Sequence, residues 1–181
     1  HGYATERGST YNAYLVMADK ITLIDTVKRP FLDEMLSRIS SVTDPKNIRV
    51  VVSNHSEMDH SGSIPDIARA VKPEKIIASE MGARALAEHF GLDMPVTPVR
   101  DGERLSLGNM ELSFMETRMV HWPDSMFTHL AGEKMLFSSD AFGMHLASGA
   151  RYADEIDSGI LQWEMKKYYA NILTPFANLI L

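Results

Sequence analysis

The chain has 181 residues, 45% of them apolar and none of them cysteine, which fits one domain or part of a larger one and excludes disulfides, iron–sulfur clusters, thiolate zinc sites and cysteine nucleophiles together. Its net charge of −6, with acidic and basic residues interspersed, offers no basic stripe to a nucleic acid. No apolar run reaches the roughly 18 residues that a membrane span needs, and no secretory signal precedes the first strand-like segment, so a soluble, cytoplasmic protein is expected; the start at His1 rather than Met reads as a missing N-terminus, which leaves targeting open.

In chain order, residues 14–18 read as a strand, Asp19-Lys20 as a turn, and residues 21–25 as a second strand pairing with the first. Pro30 opens a helix running to about Ser41, with Phe31, Met35, Leu36 and Ile39 at helical spacing. Residues 48–53 form a β-branched run, the best buried-strand candidate in the chain. They lead directly into Asn54-His55-Ser56-Glu57-Met58-Asp59-His60. Residues 63–71 read as a helix, 75–78 as a short strand, and 80–90 as a helix with Ala83, Leu86 and Phe90 on one face.

From Val96 the pattern changes to short strands (104–107, 110–115, 126–130 and 134–137) punctuated by Gly102, Gly108-Asn109 and Gly132. A last helix runs from Gly159 to about Ile172. No repeat, low-complexity stretch or linker interrupts the chain. Two strands, then alternating strand and helix, then a meander predict an α/β domain of mixed sheets covered by helices. The apolar ending Leu179-Ile180-Leu181 reads as the end of a fragment.

The chemistry concentrates at one strand end. His55, Glu57, Asp59 and His60 lie within six residues, directly after the buried strand, and strand C-termini are where α/β proteins build ligand sites. Without sulfur, imidazole nitrogen and carboxylate oxygen are the donors left for a first-row metal. The competing reading is a polar loop in which Asp59 or Ser61 caps the next helix. His121 and Asp140 also follow strand-like segments, and an aspartate can bridge two ions about 3.5–4 Å apart. Taken alone, His121 is an ordinary loop histidine and Asp140 a turn former.

His55-x-Glu57-x-Asp59-His60, with His121 at 61 positions beyond His60 and Asp140 at 19 beyond that, resembles the metal motif of the flavodiiron proteins, members of the metallo-β-lactamase superfamily. His1-Gly2-Tyr3, Arg7-Gly8, Thr10-Tyr11-Asn12-Ala13-Tyr14-Leu15, His121-Trp122-Pro123-Asp124-Ser125-Met126 and Asp140-Ala141-Phe142-Gly143 carry the same resemblance across the whole chain. It implies an α/β fold, a metallo-β-lactamase-like αββα sandwich that is partial here: one domain over residues 1–181, incomplete at its C-terminus and lacking the flavodoxin-like domain of the full proteins.

The resemblance further implies two non-haem irons. His55, Glu57 and His121 would bind one, Asp59 and His60 the other, and Asp140 would bridge. A further histidine for the second iron is expected beyond Leu181, and His89, His129 and His145 do not match it by position. His1 and Tyr168 are implied near the iron pair, although helical spacing gives Tyr168 an equally good reason simply to pack. Trp122 either walls the pocket or packs.

The activity implied is reduction of O2 to water, of NO to N2O, or both. Electrons would come from FMN on the partner subunit of a head-to-tail homodimer and ultimately from a rubredoxin-like donor. Nothing in this chain reads as a flavin site, because no Ser/Thr/Gly phosphate loop follows a strand. The hydrolytic members of the superfamily usually carry a second histidine where Glu57 stands. A carboxylate there adds negative charge and a hard oxygen, which favours ferric iron over zinc. Two alternatives remain open: a zinc-dependent hydrolase of the same superfamily, and a metal-poor fragment acting only as a structural module.

Overall fold

The computed structural model describes residues 4–181. His1 therefore lies outside the described residues, and the expectation attached to it has no structural counterpart here.

Two sheets stack face to face. The first holds five strands in sequence order: β1 (Tyr14–Val16), β2 (Thr22–Ile24), β3 (Val50–Ser53), β4 (Lys75–Ser79) and β5 (Val96–Val99). β1 runs antiparallel to β2, and the rest are parallel. The second sheet is an antiparallel meander of β6 (Arg104–Ser106), β7 (Glu111–Glu116), β8 (Met126–Leu130) and β9 (Met135–Phe137).

The two-residue period of a strand explains the layering. Along β3, Val50 and Val52 point into the core between the sheets, where Ile24, Ile77, Leu112, Phe114, Met126 and Phe137 meet them. Val51 points the other way, with Leu23 and Ile76, into a second core. Three helices close that core: α1 (Leu32–Ser40), α3 (Ile64–Val71) and α4 (Glu80–Phe90), the short α2 (Met58–Ser61) preceding α3. They contribute Met35 and Ile39, Ile64, Ile67 and Val71, and Leu86. A strand buried on both faces must be apolar at successive positions, which is why β3 is a run of valines.

A third cluster lies at one end of the second sheet, where α5 (Ser158–Tyr168) and the π turn after it, Tyr169–Leu173, pack Tyr168 and Leu173 on Val120, Phe127 and Ala141. A last short helix, α6, spans Ala177–Ile180. The layers are those of a metallo-β-lactamase-like α/β sandwich.

One expectation needs correcting. The segment from Val96 onward reads as the start of the meander, but β5 joins the first sheet, parallel to β4. Its sequence, Val-Thr-Pro-Val, masks this because Pro98 cannot donate to a ladder. Proline is tolerated because β5 is an edge strand. The other strands and the helices over α1, α3, α4 and α5 fall where the sequence places them, to within a few residues. The single turn α2, inside the histidine–carboxylate run, has no sequence-level signature.

Candidate metal centre

Four chain segments meet at the C-terminal end of the parallel strands. β3 delivers the loop from Asn54 to Glu57, α2 continues it through Asp59 and His60, the β7–β8 connection supplies His121, and the turn after β9 supplies Asp140. The first loop is held by hydrogen bonds to Asp25, Thr26 and Thr128 and by bonds within itself. Asn54 N–H and its side-chain amide both donate to the Asp25 carboxylate, at 2.7 and 3.1 Å, and Thr128 Oγ1 donates to Asn54 Oδ1 at 2.6 Å. Ser61 Oγ donates back to the Ser56 and Glu57 carbonyls, at 2.7 and 3.0 Å. Thr26 N–H donates to the His60 carbonyl at 3.0 Å.

On this frame the donor atoms converge. One ligand atom each from His55, Glu57, His121 and Asp140 lies within 4.8 Å of the others, a group that could hold a metal ion. His55 Nε2 is 3.2 Å from Glu57 Oε2, and His121 Nε2 is 3.0 Å from Asp140 Oδ2. The other oxygen of Asp140 faces away from this group, and His60 Nε2 sits 2.7 Å from Asp140 Oδ1 with Asp59 Oδ2 at 3.6 Å from the same nitrogen. The two oxygens of one carboxylate thus serve two neighbouring clusters, the arrangement expected of a bridging ligand.

The second cluster carries its own sign that a cation fits. Among the described residues, buried Asp59 Oδ1 has no hydrogen-bond partner, and buried His60 Nε2 meets only carboxylate oxygens, Asp140 Oδ1 at 2.7 Å and Asp59 Oδ2 at 3.6 Å. Buried polar atoms are nearly always satisfied, and a metal ion would satisfy both. Histidine and carboxylate donors suit iron, and three carboxylates in the set favour a hard, highly charged ion.

The electrostatics reflect an anionic cage. Burial, the largest single influence, depresses His55. Hydrogen bonds to Asp124 and Glu57 and the charges of Asp124 and Asp140 outweigh it, so His55 is pushed up to about 10. His60 is raised in the same way, burial being overcome by its contact with Asp140 and the charges of Asp140, Asp59 and Asp25. Burial acts to raise Asp140, but His121 and His60 beside it hold its carboxyl far below the usual carboxylate range. Glu57 is lowered, chiefly by its hydrogen bond with His55. The carboxylates around His55 and His60 thus favour the protonated form of both.

The clusters open into a cavity of about 190 Å³ walled by Tyr11, Asn12, His145 and Tyr168. The Tyr168 hydroxyl donates to the Asp140 carbonyl at 2.8 Å, so it braces the backbone of the shared residue. Its ring lies 5.3 Å from that of His145. Trp122 stands edge-on to His55 at a centroid distance of 5.2 Å and is 37% exposed, so it walls the site rather than filling a core. A larger cavity, about 380 Å³ between α3 and the α4–β5 turn, contains none of these groups.

Two residues escaped the sequence reading. Asp25 is fully buried under the loop and adopts φ of 56°. Burial pushes it up to about 6, against the lowering influence of His60 and of its bonds to Asn54. Asp124, quoted above only as part of a motif, accepts from His55 Nδ1 at 3.2 Å and from Ser56 N–H at 2.6 Å. An acidic residue ending an apolar strand, as Asp25 does, was the available signal; nothing local marked Asp124. Met119, Ser139 and Phe142, which flank His121 and Asp140, also have positive φ, at 68°, 50° and 66°.

The fold and the converging histidine and carboxylate donors define a β-lactamase-like domain with a candidate metal site. The family model "ODP family beta lactamase" matches residues 10–175, and the chain belongs to that family. It is 48% identical over 179 residues to a rubredoxin-oxygen oxidoreductase of Megalodesulfovibrio gigas, covering 98% of this chain and 44% of that protein. It is 42% identical to a nitric oxide reductase of Moorella thermoacetica, covering 99% of this chain and 46% of the relative. Among solved structures, the rubredoxin oxygen:oxidoreductase from Desulfovibrio gigas superposes with a TM-score of 0.94 at 47% identity, over 97% of this chain and 44% of that one. The flavodiiron protein from Giardia intestinalis gives 0.94 at 37% identity, over 99% and 44%. The flavodiiron resemblance read from the sequence therefore stands, and the chain spans about half the length of the curated relatives it matches.

Proposed function

We propose that this chain is the diiron domain of a flavodiiron protein that reduces O2 to water, NO to N2O, or both. The observation that carries the reading is the sharing of Asp140 between two donor clusters, one of His55, Glu57 and His121 and one of Asp59 and His60. Residues 1–181 are taken as one metallo-β-lactamase-like domain.

When bound, two irons supply the redox chemistry on a diatomic gas, with electrons drawn from FMN. The residues of this chain do the rest. His55 and His121 would present imidazole nitrogens to the first ion, and Glu57, Asp59 and Asp140 would neutralise its charge and that of its neighbour. Tyr11 lines the pocket, Trp122 packs edge-on against His55, and Tyr168 holds the Asp140 backbone in place. FMN, a rubredoxin-like donor, a head-to-tail homodimer and a cytoplasmic location belong to the same proposal; in support, two relatives are named for oxygen and nitric oxide reduction, and no helix among the described residues is long and apolar enough to cross a membrane.

The reading is tested by anaerobic reconstitution with ferrous iron, metal analysis, and a competing load with zinc. Iron retained at His55, Glu57 and His121 in preference to zinc is expected. Zinc preference together with ester or lactam hydrolysis would replace the reading by that of a hydrolase, and no uptake of either metal would leave a structural module.

A further inference from the structure

Resting on the metal-centre reading, we propose that Asp124 is a positioning residue that dictates which nitrogen His55 offers to the first ion. His55 is almost completely buried, and its two nitrogens face different partners. Nε2 lies among Glu57 Oε2 at 3.2 Å and Asp140 Oδ2 at 3.7 Å, while Nδ1 faces Asp124 Oδ2 at 3.2 Å. A neutral imidazole has one N–H and one lone pair, and a carboxylate can only accept. Asp124 therefore claims the Nδ1 proton and leaves the Nε2 lone pair on the cluster.

The same oxygen does a second job. Asp124 Oδ2 accepts from Ser56 N–H at 2.6 Å, and Ser56 is the residue that separates His55 from Glu57. One atom thus sets both the ring orientation and the backbone between two ligands. Asp124 is itself pinned from a distant element: Ser79 Oγ donates to its carbonyl at 2.7 Å and accepts from Gly82 N–H at 3.0 Å. Ser79 is the N-cap of α4, so the register of that helix is transmitted to His55 through Asp124. The Asp124 side chain is only 5% exposed, so bulk water does not compete for these bonds.

Because both bonds end on one oxygen, two substitutions separate geometry from charge. Asp124→Asn can place its amide oxygen where Oδ2 sits and accept both hydrogen bonds without charge, whereas Asp124→Ala removes both. Ferrous iron affinity, measured anaerobically by chelator competition on the 181-residue chain, is expected to fall about 10–100-fold in Asp124→Ala, the usual cost of losing a partner behind a ligand, and by a smaller factor in Asp124→Asn. Imidazole 15N resonances of the zinc-loaded chain are expected to show Nδ1 protonated on His55 in the wild type and in Asp124→Asn. Loss of that preference is expected in Asp124→Ala, a readout that a loop clamp acting only on stability would not move.

Wild-type affinity and an unchanged His55 tautomer in Asp124→Ala would overturn the assignment while leaving the metal reading intact. Should that variant fail to fold, Asp124→Asn decides: wild-type affinity with His55 bound through Nδ1 overturns the assignment. A wild-type chain that takes up no iron overturns the metal reading and this assignment with it.

Discussion

The two halves of the centre are built differently. The first draws on three segments far apart in sequence, the β3 loop, the β7–β8 connection and the turn after β9, and its four donor atoms already lie within 4.8 Å of each other. The second draws on the single turn of α2 plus the far oxygen of Asp140, and among the described residues it leaves Asp59 Oδ1 without a hydrogen-bond partner. Donors from distant segments are fixed by the whole sandwich. Donors on one short turn are fixed by that turn, and they need something further to satisfy them. The first half should therefore be a tighter site in this chain than the second.

The substitution that should erase the contrast is Asp140→Ala. It removes a donor from both halves at once, and losing a ligand costs more than the roughly 10–100-fold typical of an outer partner. Iron per chain after anaerobic reconstitution and desalting is expected to fall to background. Retention of one tight ion would mean that Asp140 belongs to only one half or to neither.

A smaller and one-sided effect should follow from dividing the halves. Asp59→Ala is expected to abolish binding of the weaker ion and to change the affinity of the tighter one by less than about tenfold, because the two share only Asp140. His55→Ala is expected to do the reverse. A titration with ferrous iron resolves the two steps, and equal losses in both variants would show one cooperative site in place of two unequal ones.

Glu57→His should shift selectivity more than strength. Exchanging an anionic oxygen for a neutral nitrogen favours zinc over iron at the first half. Competitive loading at fixed pH reads the ratio, and an unchanged ratio would place the source of selectivity outside Glu57.

The gentlest probe is pH. His55 in the metal-free chain is pushed up to about 10, whereas a metal ligand must be neutral. Binding the first ion below that pH therefore displaces about one proton from His55, and affinity should rise with pH up to that range. Calorimetry in buffers of different ionisation enthalpy measures the protons released. The linked effect on the metal-free fold has a definite sign. The raised value means that protonated His55 contributes stability that is fully present below its ordinary value near 6.5 and is lost as pH rises through about 10.

The sequence revealed these parts unequally, for physical reasons. β3 was legible because a strand buried on both faces has to be a continuous apolar run, and Val50, Val51 and Val52 are one. α4 was legible because Glu80–Phe90 is bounded by a capping serine and by Gly91 in the left-handed region. β5 was misplaced because Pro98 is a signal of what a strand interior forbids, and only its edge position removes the objection. The ligand candidates could be read because chemistry restricts them to a few residue types at strand ends. Asp124 could not, because its task depends on a contact across 69 positions that no local pattern announces. Asp25 carried a weak local sign, an acidic residue ending an apolar strand, but its role rests on Asn54, 29 positions away in the loop after β3.

Six non-glycine residues of the described chain have left-handed backbones, and four of them, Asp25, Met119, Ser139 and Phe142, surround the centre. A side chain in that region costs roughly 1–2 kcal/mol. Selection for heat resistance alone would thus find easy gains there, because glycine at Met119 or Ser139 relieves the crowding. The same exchange frees the backbone beside His121 and Asp140, two of the four residues whose donor atoms converge. A thermally improved version of this domain is therefore expected to melt later and to grip metal less firmly. A library screened on melting temperature should collect glycine at these positions, and one screened on retained iron should reject it.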